Sequence, residues 1–183
     1  MVTTTVRNTF LQRLVGAAAL DTAIYEEVEA DPSATSQAFL IVVAASLAAG
    51  IGARGLLEVT FPGMLLYSAI ALMAWAAWAL LVFEIGARLM PAPQTRVDVG
   101  QLLRTIGFAS TPGLLRALGI MPAVAAPVFV VTSLWMLLAM IVAVRQALDY
   151  RSTAAAVAVC LLGWALAIVV AVVLGVLFGP TVS

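Results

Sequence analysis

GQLLRTIGFASTPGLLRALGI, running from Gly100 to Ile120, is the stretch on which the count of elements in this chain turns. Most of its residues are apolar or small, yet it holds Arg104 and Arg116, and Gly107, Ser110, Thr111, Pro112, Gly113 and Gly119 fall within thirteen residues. A helix needs roughly 20 apolar residues to cross a bilayer core about 30 Å thick, and the stretch has that length. Each arginine stands four residues from an end, about 6 Å at 1.5 Å per residue, which a long arginine stem covers by snorkelling. The stretch reads as a membrane span. Pro112 removes a backbone donor and its ring clashes with the carbonyl of Phe108. A kink is therefore expected, with the hydroxyls of Ser110 and Thr111 serving the freed carbonyls.

Outward from it, four apolar stretches are plainer. They run over 37–57, 64–86, 124–144 and 154–178, so that the spans number five with 100–120 as the third. The composition agrees. Of 183 residues, 64% are hydrophobic and 10% charged, against about 45–50% and about 25% in a soluble domain. A soluble fold of this size has no place to hide so much apolar surface. The fold class expected is all-α: an integral membrane bundle of five transmembrane helices with a short N-terminal amphipathic segment.

The arginines give an independent test. Nine arginines and nine acids leave no net charge, and there is no lysine or histidine. With the N-terminus inside, the cytoplasmic segments carry Arg7, Arg13, Arg88, Arg96, Arg145 and Arg151, with Arg104 near the inner face. Only Arg54 and Arg116 lie outside, as the positive-inside rule expects. The C-terminus, after a short tail over 179–183, is then outside. No basic field exists to attract nucleic acid. The missing histidine removes the commonest metal ligand and the usual general base near neutral pH. Cys160 stands alone, so it forms no internal disulfide and no zinc site. No enzyme, metal or cofactor is expected.

Residues 1–36 read as a cytoplasmic interfacial segment. Phe10, Leu11, Leu14, Val15 and Ala18 recur at helical spacing with Gln12 and Arg13 on another face, the pattern of a helix lying in the interface. Asp21 caps a second short helix bearing Ile24, Tyr25 and Val28, and Asp31-Pro32-Ser33 starts the first span. Glu26, Glu27, Glu29 and Asp31 form an acidic knot before it. The knot reads as a cation- or partner-binding patch or, more simply, as a solvated face with helix capping.

Within the spans, Glu84 precedes Arg88 by four residues, the favourable order for a helical ion pair. Glu84, Arg88, Arg104, Ser110, Thr111, Pro112 and Arg116 are the candidate intramembrane polar site. Gly163, Ala167, Ala171, Gly175 and Gly179 form a smooth ridge on the fifth span, suited to close helix packing where lipid supplies no hydrophobic drive. Ala44, Ala48 and Gly52 make a similar ridge on the first span, and the two ridges are able to meet. Trp75, Trp78, Trp135 and Trp164 fall near span centres and not in interfacial belts. Asp98 with Gln101 looks like a capping box for the third span.

Three stretches carry a family resemblance. They are Tyr25-Glu26-Glu27 with Asp31-Pro32 and Gln37-Ala38; then Gly107 to Pro112 before a short glycine-containing turn; then Val144-Arg145-Gln146-Ala147-Leu148-Asp149-Tyr150 leading into the last span. Over roughly 10–178 the chain resembles the Yip family, five-span membrane proteins named for interaction with Ypt/Rab GTPases, and looks like a bacterial-type member. The small-residue ridges, the interfacial N-terminal helix and the absence of catalytic residues point to a non-enzymatic protein of the cell membrane that organises membrane partners or bilayer shape. Its expected partners are the lipid bilayer and either further copies of itself or other membrane proteins. The alternative is a small transporter or channel using the kinked third span and Glu84.

Overall fold

A computed structural model describes residues 7–89 and 98–178, with the side chains of 87 and 167–178 outside the description. Every element among the described residues is helical. Two short helices, α1 (Phe10–Ala18) and α2 (Thr22–Ala30), form a hairpin. Then follow α3 (Ala34–Leu57) and α4 (Phe61–Glu84), the latter closing in a π turn over Ile85–Leu89. After these come α5 (Val99–Phe108), a 3₁₀ segment (Thr111–Ile120), α6 (Pro122–Ala147) and α7 (Thr153–Phe178). Three helices, α3, α4 and α6, are long and apolar enough to cross a membrane. The described apolar part of α7, Thr153–Leu166, is shorter.

The local signals explain the ends. Thr9 and Gln12 form a capping box at α1, with Gln12 N donating to Thr9 Oγ1 at 3.3 Å and Thr9 N to Gln12 Oε1 at 2.8 Å. Asp21 caps α2 by accepting from Ala23 N, and Asp98 caps α5 by accepting from Gly100 N. Asp31 accepts from the backbone and hydroxyl of Ser33 in the turn before α3, so the helix begins just past Pro32.

The stretch from Gly100 to Ile120 is not the single kinked helix expected of it. It breaks at Ala109–Ser110 into an α-helix and ten residues of 3₁₀ helix, a long run for that conformation. Pro112 explains the break, because an α-helix would need its missing N–H to satisfy Phe108 O. Thr111 Oγ1 donates to that oxygen instead, at 2.6 Å, and Ser110 Oγ donates to Ile106 O at 3.3 Å.

The broken element runs parallel to α3 along most of its length. A Cβ at Gly107 would stand 2.8 Å from that of Ala38, and a Cβ at Gly113 would stand 3.3 Å from that of Ala45. At the other end the carbonyls of Arg116 and Gly119 lie on Gly52 and Gly55, where any side chain would strike backbone. From Ala38 to Gly55 α3 rises about 26 Å at 1.5 Å per residue. From Gly107 to Gly119, three steps near the α rise and nine at the 3₁₀ rise of about 2.0 Å per residue give about 22 Å. The tighter, longer 3₁₀ turns bring twelve residue steps within about 4 Å of seventeen.

Elsewhere the neighbours alternate in direction. Gly50 approaches Met64 and Ser68 across the α3–α4 turn, Gly86 meets Leu148, and Gly163 meets Trp78. One end of the bundle thus gathers the starts of α3, α5 and α7 with the ends of α4 and α6. The α1–α2 hairpin sits at this end, against α5 and α6. Its tip reaches α6 at Trp135, whose Nε1 donates to Ala18 O at 2.7 Å.

Two expectations change. The face of α1 turned to the bundle is Arg13 and Ala17 flanked by Phe10 and Leu14, while Leu11 and Val15 are 69% and 62% exposed. The apolar residues therefore split between two faces. The small face of α3 is taken by the 3₁₀ segment, while α7 packs on α4 and α6, with Gly163 against the Trp78 indole. The side chains of Ala167 and Ala171 and the placement of Gly175 in the ridge lie outside the described side chains, and Gly179 lies outside the described residues.

Candidate functional site

The hairpin is tied down by a buried arginine. Arg13 is 1% exposed, although it lies in the middle of a nine-residue surface helix. Its Nη2 donates to Glu27 Oε1 at 2.7 Å and to Asp31 Oδ2 at 2.8 Å, and its Nη1 donates to Gln37 Oε1 at 3.1 Å. One guanidinium fork thus joins α1, α2, the turn and α3, a geometry suited to arginine and not to lysine. Arg7 also reaches Asp31, and Asn8 reaches Glu27. Burial opposes charge on Asp31, but the hydrogen bonds from Arg7, Arg13 and Ser33 outweigh it and hold the carboxyl well below its usual range. Glu27 is likewise held low, against burial, by Asn8 and Arg13. Tyr25, fully buried, donates its hydroxyl to Ala17 O at 3.0 Å across the hairpin.

The acidic knot therefore divides. Glu27 and Asp31 are arginine partners and not a solvated patch. Glu29 faces the other way, towards the α6–α7 loop. Burial first, then Asp149 and Glu26, push its pKa up to about 7, with Arg104 and a hydrogen bond to Gln146 acting against them. Arg104 does not snorkel. It is buried and its Nε and Nη2 donate to the carbonyls of Val28 and Glu29 at 3.1 and 2.5 Å, closing the C-terminus of α2. A polar cavity of about 410 Å³ between α2 and the α6–α7 loop is lined by Glu26, Arg145, Asp149 and Arg151 among others.

Arg116 occupies a different level. Its backbone lies on Gly52, near the Leu57 end of α3, but its guanidinium turns inward along α6. Nη2 donates to Ser133 Oγ at 2.9 Å, Nε to Thr132 Oγ1 at 3.4 Å, and the group lies 5.0 Å from the centre of the Phe129 ring. Hydroxyls deeper in the bundle draw it away from the nearer end.

The candidate polar residues thus separate into three places. Ser110 and Arg116 line one small cavity of about 40 Å³ with Trp75 and Gly113, while Thr111 and Pro112 are buried in the helix break beside it. Arg104 belongs to the hairpin. Glu84 and Arg88 form a 2.9 Å pair at the end of α4, with Arg88 exposed and Glu84 half-buried. The residue that sequence reasoning passed over is Arg13. Its signal was a lone arginine flanked by Phe10, Leu14 and Ala17 at helical spacing, followed by two acids four residues apart.

Among the described residues no cluster of three or more His, Cys, Asp or Glu is placed to hold a metal ion. Cys160 is buried in α7. Comparison with known protein families, with curated proteins and with solved structures returns no match for this chain.

Proposed function

We propose that the chain is a five-span membrane protein of the Yip type, bacterial-like, that shapes the bilayer or gathers membrane partners through a helical hairpin fixed at its cytoplasmic end. The observation that carries this reading is the α1–α2 hairpin. It adds two helices alongside the bundle from the Arg104–Gln146 end as far as Trp135, midway along α6, with Leu11 and Val15 turned outward. Apolar side chains on an interfacial helix insert at the headgroup boundary. Added to one leaflet alone, such a wedge expands that leaflet against the other. The Arg13 clamp makes the wedge a rigid part of the bundle.

Five crossings are supported by the matched rise of α3 and the broken element and by the alternating directions of the remaining helices. Inward arginines support a cytoplasmic N-terminus in the cell membrane. The Yip-like stretches support the family reading by where they meet. Tyr25, Glu27, Asp31 and Gln37 converge around α1, Ala38 meets Gly107, and Gln146 meets Glu29.

Reconstitution into vesicles tests the reading. Wild-type protein at rising protein-to-lipid ratio is expected to give smaller or tubular vesicles by electron cryomicroscopy. The Leu11→Glu, Val15→Glu double variant is expected to leave them large and round. Equal morphology for the two proteins at equal incorporation would sink the wedge.

A further inference from the structure

Arg145 is the first charged residue of α6. It stands about 34 Å along the helix from Pro122 at 1.5 Å per residue, beyond the roughly 30 Å of a bilayer core. Arg151 lies just before Thr153, where the apolar α7 begins. Both arginines therefore sit at headgroup depth, at the Ala147 end of the bundle.

The polar cavity of about 410 Å³ opens between these arginines and α2, within the usual range of small-molecule pockets, about 300–1,000 Å³. One wall is Ile141, Val142 and Arg145 of α6, and the other is Thr22 and Glu26 of α2. Two contacts set the register of the walls. Ala18 O accepts from Trp135 Nε1, and Glu29 is hydrogen-bonded to Gln146. So α2 runs parallel to α6, and Glu26 stands within a turn of the level of Arg145. Ile141 lies one turn deeper than Arg145, about 6 Å towards the middle of α6. Polarity thus changes along the cavity as it does across a leaflet, with charges at headgroup level and apolar side chains beneath them.

The charges are of both signs and stand on opposite walls. Glu26, Arg145 and Arg151 are exposed, and the ion pairs among the described residues belong to Arg7, Arg13 and Arg88. Arg145 Nε donates to Tyr150 O at 3.4 Å, which ties its side chain to the loop that carries Arg151. Asp149 also lines the cavity, on the side of Glu29. A ligand complementary to these walls brings an anion to the arginines, a cation to Glu26 and an apolar tail to Ile141 and Val142.

We infer that the cavity seats the headgroup of an aminophospholipid of the phosphatidylethanolamine type. Its phosphate pairs with Arg145 and Arg151, its primary ammonium donates to Glu26, and an acyl chain descends past Ile141 and Val142 into the leaflet. Both polar contacts are charge-assisted hydrogen bonds, roughly twice as strong as neutral ones. A purely anionic headgroup sets its charge against Glu26, and a choline headgroup, fully methylated, has no N–H to give it. The inference rests on the membrane location of α6 and not on the bilayer-shaping reading.

Native mass spectrometry of the full chain in mild detergent tests it, with lipids of matched acyl chains added in steps. Phosphatidylethanolamine is expected to bind about tenfold more tightly than phosphatidylcholine, the scale of one charge-assisted hydrogen bond, and more tightly than phosphatidylglycerol. Glu26→Gln, at an exposed position, is expected to bring phosphatidylethanolamine to the phosphatidylcholine value. The Arg145→Gln, Arg151→Gln double variant is expected to weaken both lipids. Equal binding of the ethanolamine and choline lipids to the wild type would overturn the inference, as would a preference that survives Glu26→Gln. Tighter binding of phosphatidylglycerol would overturn it by showing a site for anionic lipids. Displacement of the lipid by millimolar phosphoethanolamine would overturn it too, by showing a site for the free headgroup.

Discussion

Arg13 Nη2 stands 2.7 Å from Glu27 Oε1, linking the two helices of the hairpin through a side chain that water scarcely reaches. Replacing Arg13 by alanine leaves Glu27 and Asp31 facing each other without their cation. Breaking a buried pair on one side costs about 3–5 kcal/mol, and the partial exposure of these carboxylates puts the expected loss near the lower figure. Limited proteolysis checks it. Arg13→Ala is expected to expose cleavage sites between Ala18 and Pro32 under conditions where the wild type resists, and Arg13→Lys to fall between the two.

Glu29 sets a pH dependence with a definite sign. Its folded pKa, about 7, lies above its ordinary 4.5, so its contribution is fully present below 4.5 and is lost as pH rises through 7. Hairpin stability is expected to fall across that window, and Glu29→Gln is expected to flatten the fall and to raise the melting temperature at pH 8. Glu27 and Asp31 act oppositely. Held below their ordinary values, they stabilise above pH about 4.5 and cease to do so in stronger acid. Thermal melts from pH 3 to 9 separate the two, and a melt that rises from pH 5 to 8 would contradict the Glu29 assignment.

Gly52 and Gly55 are expected to tolerate no side chain. A Cβ at either strikes a carbonyl of the 3₁₀ segment, and backbone cannot swing aside as a flexible side chain can. Gly52→Val is expected to cost about 1–3 kcal/mol or to prevent folding, read as a lower melting temperature in detergent. Leu47→Val, on the exposed face of the same helix, serves as the comparison.

Cysteine labelling counts the crossings. With Cys160 replaced by alanine, single cysteines at Glu58 and Met121 are expected to react with an impermeant maleimide from outside intact cells. Cysteines at Asp98 and Arg151 are expected to react only after the membrane is opened. Labelling of Arg151 from outside would mean that the broken element does not cross.

Glu84→Gln is expected to change stability by no more than about 0.5 kcal/mol, the scale of an open i,i+4 pair. A loss several times larger would show that Glu84 has a partner beyond Arg88.

The helices were legible because lipid-facing helices repeat one composition over twenty residues, and α3, α4 and α6 came within three residues of the stretches read from sequence. The hairpin was legible from its caps at Thr9, Asp21 and Asp31. The break at Pro112 was legible as a defect, because the loss of one N–H is local, but not as ten residues of 3₁₀ helix. That conformation depends on the contact with α3, which lies far away in sequence.

From the residues alone it follows that the chain is helical and apolar, where its long apolar helices lie, and where its few charges fall. Those properties follow from side-chain chemistry and neighbours within a turn or two. What the charges do is set by packing between helices distant in sequence. Arg13, Arg104 and Arg116 look alike in the sequence, each an arginine among apolar residues. The first clamps a hairpin to two acids, the second closes a helix end on two carbonyls, and the third bonds two hydroxyls between two cavities. The difference lies in what stands within 4 Å of each guanidinium, and those neighbours come from other helices.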